Sequence, residues 1–168
     1  PGSSKDEGIY DGRVELDDVK PKFSVPDLTA EFRVSKDWGY VELAGVIRRI
    51  EWEDQGTDQY DLSGSATGWG FNLSTNLNLG KKNIFRGQAI YGEAIENLMN
   101  DAPVDIGIQN NFSDPVSPVK GVALPVSSFS AYLDHKWNDD FSTSIGYSAL
   151  VIDNSDAQAD AAFHKGQY

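Results

Sequence analysis

Cysteine is absent from the 168 residues, which removes disulfide frameworks, thiolate zinc sites and cysteine nucleophiles together while saying little about compartment. Histidine is nearly absent too. His135 and His164 are the only side chains that serve as bases near neutral pH. No spacing in the chain brings a nucleophile, a base and an orienting carboxylate together, so no enzyme is expected. Nowhere does an apolar run approach the roughly 20 residues that a membrane-spanning helix needs. Positive charge is also scarce, with 14 Lys and Arg against 26 Asp and Glu and a formal net charge of -12. Binding a phosphate backbone requires clustered cations, so no nucleic-acid partner is expected. The start, Pro1 to Glu7, lacks the basic residues and apolar stretch of a secretion signal. The expectation is a processed chain or one that begins within a longer protein.

What the chain does contain is alternation. In Trp69 to Leu79, the residues Trp69, Phe71, Leu73, Thr75, Leu77 and Leu79 interleave with Gly70, Asn72, Ser74, Asn76 and Asn78. That period of two predicts a strand. Its second face is small and amide-bearing rather than Lys- and Glu-rich, as expected of a wall around a wet lumen. Phe141, Thr143, Ile145, Tyr147, Ala149 and Val151 repeat the pattern against Ser142, Ser144, Gly146 and Ser148. So do Phe129, Ala131 and Leu133 against Ser130, Tyr132, Asp134 and Lys136, and Phe85, Gly87, Ala89 and Tyr91 against Arg86 and Gln88. Leu28, Ala30, Phe32 and Val34 oppose Thr29, Glu31 and Arg33; Tyr40 to Glu53 is apolar on parts of both faces. Six strands are predicted.

Their connections alternate in length. Ser35–Gly39, Gly80–Asn83 and Trp137–Asp140 are compact polar turns of hairpin type. Asp54–Gly68, Gly92–Ser127 and the tail from Asp153 are long and rich in Asp, Asn, Gly and Pro. Tight turns on one side and long loops on the other are the habit of outer-membrane barrels. Trp38, Tyr40, Trp69, Phe85, Trp137 and Phe141 fall near predicted strand ends, where interfacial aromatic girdles would lie. The fold expected is all-β: an antiparallel up-and-down β-barrel or part of one, with residues 1–22 as a partly flexible N-terminal segment and 23–168 as the barrel segment.

Strand parity puts Arg33, Arg48, Arg86 and Lys136 on the face opposite the apolar residues. There, fixed cations along the substrate path would attract anionic solutes and offer bidentate contacts to carboxylates. The alternative is that they pair across strands with Glu31, Glu42 or Asp134 and only balance charge in the wall. The long stretch Gly92–Ser127 either folds inward as a constriction or stays outside as a solvated loop. Asp54, Asp58 and Asp61, and likewise Asp153, Asp156 and Asp160, carry oxygen ligands for calcium, but neither set has the spacing of a calcium-binding EF-hand loop. They are read as solvated acidic loops, and no metal or cofactor is expected. His135 is placed on the outward, interfacial face near Trp137.

With these strands located, Val25–Ala30, Asp37–Gly45, Ile47–Arg49, Gly68–Ser74, Tyr91–Asn97, Asn100–Asp101 and Asp153–Asp156 together resemble the DcaP-type porins of Gram-negative outer membranes, over roughly Phe23 to Tyr168. The resemblance implies a trimeric barrel in outer-membrane lipid that passes small, often anionic solutes such as dicarboxylates. The chain departs from that pattern in having too few strands to close such a barrel. It has no helical region before the barrel, and Gln167-Tyr168 stand where another strand would begin, so an excised segment is expected. Its outer strands then need partners, from another copy or from a shortened closure. The competing architecture is a soluble β-barrel or β-sandwich ligand-binding module. Leu73, Leu77, Phe129, Ile145 and Tyr147 separate the two: they point outward in a porin and against one another in a soluble module.

Overall fold

A computed structural model describes residues 19–99, 102, 104–153 and 155, together with the backbone of 165–167. Residues 1–18, Asn100, Asp101, Asn154, Asp156, Asp160 and His164 lie outside the described residues. Ten strands are described: β1 (Val19–Lys22), β2 (Leu28–Lys36), β3 (Gly39–Asp54), β4 (Gly64–Leu79), β5 (Asn83–Glu93), β6 (Ile106–Asn110), β7 (Val119–Ala123), β8 (Pro125–Lys136), β9 (Ser142–Ile152) and β10 (Lys165–Gln167). The long strands β2, β3, β4, β5, β8 and β9 pair in that order, every pair antiparallel, and curl into half a barrel. They are the six that the alternation predicts. Their ends differ from the sequence reading by a few residues, chiefly at β4 and β8, which begin at Gly64 and Pro125.

The register lines up the apolar positions into continuous rows. Phe32, Leu43, Leu73, Ala89, Phe129 and Ala149 are successive cross-strand partners, and the row Val34, Val41, Thr75, Gly87, Ala131 and Tyr147 lies beside them. These residues face outward: Leu73 is 49% exposed, Phe129 47% and Tyr147 45%, and Ile145 in the next row is 73% exposed. The opposite face carries the rows Arg33, Glu42, Ser74, Gln88, Ser130 and Ser148, and Ser35, Tyr40, Asn76, Arg86, Tyr132 and Gly146. The apolar face is therefore the open one, and the burial that the sheet has, at Gly68, Gly70, Gly92, Val126, Leu150 and Ile152, lies on the opposite face toward the long-loop end.

Short turns close one end. Asp37 and Trp38 join β2 to β3, where Gly39 takes φ +124° because any side chain there would strike the backbone of Asn76. In the β8–β9 turn, Asn138 Oδ1 accepts the N–H groups of Asp140 and Phe141, each at 2.9 Å. The Lys82 ammonium donates to Trp137 O at 3.2 Å and ties this turn to its neighbour.

The strand β1 is an addition to the sequence reading. It pairs with Glu51–Asp54 on the same edge of β3 that β2 occupies along Gly39–Ile47. Between them, Phe23–Asp27 opposes only Arg48–Ile50, so the edge bulges outward at Pro26, which has no N–H to give the ladder. Ser24 Oγ donates to Glu51 across this gap.

At the other end the connections are long. The chain leaves β5 at Ala94, whose φ of 53° costs on the order of 1 kcal/mol for a residue with a side chain. A 3-10 turn follows at Glu96–Leu98, and then the antiparallel hairpin β6–β7. This stretch folds inward. Its residues Ile95, Ala102 and Leu124 form a small core with Val126, Leu150 and Ile152 from the inner faces of β8 and β9. Of the two placements open for Gly92–Ser127, the inward one holds for its two ends, at Ile95, Ala102 and Leu124, while the far end of the hairpin is exposed at Phe112 and joins the 55–63 loop, where the Asp61 N–H donates to Val116 O at 2.9 Å.

The wall and the segment folded onto it

Two of the four predicted substrate-path residues occur together. Arg86 and Lys136 share an open polar bowl of about 730 Å3 at the short-turn end, with Lys81, Lys82, Asp134 and Asp139 in its lining. Arg33 projects from β2 on the same inner face, and Arg48 sits under the inward segment. All four carry an acidic partner. Arg86 Nε contacts Asp134 Oδ2 at 2.7 Å, Lys136 Nζ contacts Asp139 Oδ1 at 2.8 Å, and Arg33 Nη1 contacts Glu42 Oε2 at 3.4 Å. Cross-strand pairing through Glu42 and Asp134, the plainer reading of these cations, is thus realised. Opposite charges this close cancel most of each other's field a few ångströms away, so the wall is a set of local dipoles rather than a stripe of free positive charge.

Arg33 also lies with its guanidinium 3.8 Å from the centre of the Tyr40 ring, a cation–π contact that fixes the plane of the fork. Tyr40 consequently belongs to the inner face and not to the outer aromatic girdle in which its position near a strand end placed it. Of the residues expected in the girdle, Trp69 lies outside at the long-loop end, in edge-on contact with Phe71 and Tyr91 at 5.7 and 5.8 Å between ring centres. At the short-turn end the Trp137 ring stands edge-on to His135 at 4.4 Å. His135 Nδ1 is engaged by Asn83 Oδ1 at 2.7 Å. It faces outward, as expected.

The Arg86–Asp134 pair is open to water, the Arg86 side chain being 57% exposed. An exposed pair contributes at most about 1 kcal/mol. Arg86→Gln is therefore expected to shift the unfolding free energy by less than about 1 kcal/mol in a denaturant titration, while leaving Asp134 as an uncompensated negative charge in the bowl.

Arg48 is different. Its Nε lies 3.3 Å from Asp27 Oδ2, its Nη1 lies 3.7 Å from Asp105 Oδ2, and the same nitrogen donates to Asn97 Oδ1. Asp105 is only 4% exposed and also accepts the Asn97 N–H at 2.8 Å. One guanidinium thus joins the edge strand, the wall and the inward segment. Next to it Glu96 is fully buried. Neither residue is marked by its local sequence, since both acids lie in a stretch that reads as solvated loop.

The wall is shaped to receive this segment. Gly70 and Gly92 are cross-strand partners on the inner face, and a Cβ on Gly92 would come within 2.8 Å of Ile95 Cδ1; one on Gly70 would overlap the same methyl group. Outside the segment, Asp54 organises the 55–63 loop by accepting the N–H groups of Gly56 and Leu62 at 2.8 Å each, and Asp58 and Asp61 accept from Tyr60 and Ser63 at 2.9 Å. These carboxylates serve as turn formers. Among the described residues no group of three or more acidic or histidine side chains is arranged to hold a metal ion. No family model, no curated protein and no solved structure matches the chain.

Proposed function

We propose that this chain is part of the wall of an outer-membrane porin, which lets small solutes diffuse through a water-filled bore. The observation that carries the reading is the continuous band of exposed apolar side chains on one face of a curled sheet whose other face is polar. A soluble protein rarely leaves contiguous apolar surface of this extent open, whereas lipid requires it. The strands of 9 to 16 residues are long enough to cross the hydrocarbon layer at a tilt. Small anions such as dicarboxylates are the favoured solutes in this proposal. They would exchange with Glu42 and Asp134 for the forks of Arg33 and Arg86 and with Asp139 for the Lys136 ammonium, whereas Arg48, held between Asp27 and Asp105, anchors the inward segment. Half a barrel exposes two unpaired edges, which lipid does not tolerate. Closure by further strands or by other copies is therefore part of the proposal, as is the trimer of the porins that the sequence resembles.

Circular dichroism with size measurement, in plain buffer and in detergent micelles, tests it. The expected result is a discrete β-rich species only in micelles, followed by anion-biased currents when it is reconstituted in a planar bilayer. A compact β-rich monomer in plain buffer would instead mean that the apolar faces have packed together as in a soluble ligand-binding module.

A further inference from the structure

The contacts around Glu96 leave one charge without an answer. Glu96 is 0% exposed, and neither of its carboxylate oxygens has a hydrogen-bond partner. The neighbouring Asp105 carboxylate is also buried, and the guanidinium of Arg48 is already shared between Asp105 and Asp27. The other elements packed on this segment present Gly68 and Gly70 from β4, Gly92 from β5, Val126 from β8 and Leu150 and Ile152 from β9, none of them titratable. A bare carboxylate in this setting has no solvent and only the backbone N–H groups of Ile95 and of Glu96 itself beside it, and a proton removes the charge and provides an O–H toward the Asp105 carboxylate.

From this geometry we infer that the segment Ala94–Met99 is a proton-operated latch, seated on the inner wall while Glu96 is neutral and released when Glu96 ionises. Burial first, and then the Asp105 carboxylate, push the Glu96 carboxyl up to about 8 from an ordinary 4.5. The seated form therefore holds its proton more tightly than the released form. Seating is fully favoured below about pH 4.5, weakens about tenfold per pH unit up to about 8, and changes no further above that. The seated segment narrows the space in front of the wall, so acid closes and alkali opens. Only that consequence for passage rests on the porin reading; the latch itself does not.

Amide hydrogen exchange on the whole chain in micelles tests the latch without measuring current. The Leu98 and Met99 N–H groups, which donate to Ile95 O and Glu96 O at 3.0 and 2.9 Å, report the seated form. After division by the intrinsic exchange rates, their protection is expected to fall about tenfold per unit between about pH 5 and pH 8, while that of β4 and β5 holds. Glu96→Gln is expected to remove the slope and keep protection at alkaline pH. If Glu96→Gln does not fold, the slope of the unaltered protein decides by itself, and a flat profile overturns the inference. Protection restored at alkaline pH by millimolar calcium would also overturn it, because a cation rather than a proton would then be the missing partner.

Discussion

On the porin reading, Leu73→Arg is expected to lower the stability of the sheet in lipid by about 2–4 kcal/mol, the cost of an Arg side chain on the lipid face of a barrel near the bilayer midplane. Leu73 lies in the middle of the outward row, between Leu43 and Ala89 on the flanking strands, so a guanidinium there has no polar neighbour to reach. Ser74→Arg places the same group one residue later on the other face, directly opposite Glu42. It is expected to shift stability by no more than about 1 kcal/mol, as exposed ion pairs do. Denaturant titrations of both variants in lipid vesicles, followed by tryptophan fluorescence, give the comparison. Equal losses for the two, or a larger loss for Ser74→Arg, would mean that the faces of the sheet are exchanged and that the apolar band is not the lipid surface.

The second large effect belongs to Arg48→Met. Methionine keeps the length and apolar stem of the side chain but deletes the charge shared by Asp27 and Asp105. Asp27 is partly open to water and can hydrate, whereas Asp105 is not. Removing one partner of a buried pair typically costs about 3–5 kcal/mol, because the remaining charge is stranded. The loss should appear as released protection of the inward segment before any loss in β4 or β5, since the long strands keep their own ladders. Arg48→Met combined with Asp105→Asn should recover most of it. The asparagine oxygen still accepts the Asn97 N–H, and no charge is left behind. A double variant as loose as Arg48→Met alone would show that shape rather than charge governs the loss.

How much of this could be read in the sequence depended on which face of a residue mattered. The six long strands, their hairpin turns and the direction of Leu73, Phe129, Ile145 and His135 follow from a period of two, which survives because the outer face is almost uniformly apolar. The edge strand was harder. Pro21 and Pro26 break its alternation, and β1 is held by four residues of β3 rather than by a pattern of its own. The hairpin β6–β7 has no contrast between its faces strong enough to mark it. Least legible was the inward segment. Glu96 and Asp105 look like any acids in a polar loop, and their burial depends on Arg48, far away in the chain. The clue available was indirect: Gly68, Gly70 and Gly92 leave the wall bare at the place where Ala94 and Ile95 return to it. Arg48 was recognised as an inner-face cation, but its partners were sought among Glu31, Glu42 and Asp134 rather than Asp27 and Asp105. Tyr40 was misplaced because proximity to a strand end does not decide which way a side chain points; parity does, and it turns Tyr40 inward.

The attachment of the inward segment has one more implication. Glu93 and Pro125 are cross-strand partners, and the next residues, Ala94 and Leu124, are joined by a backbone hydrogen bond of 2.9 Å. The stretch between them leaves and re-enters the sheet at this one place, and Arg48 pins it to the wall again through Asn97 and Asp105. The pairing of β5 with β8 is thus the only join between sequence-distant neighbours among the six long strands, and its entropic cost grows only as the logarithm of what is looped out. What is inserted at this point can be lengthened, shortened or replaced without moving any strand by a residue. Wall and insert are inherited on one chain but can vary as separate parts.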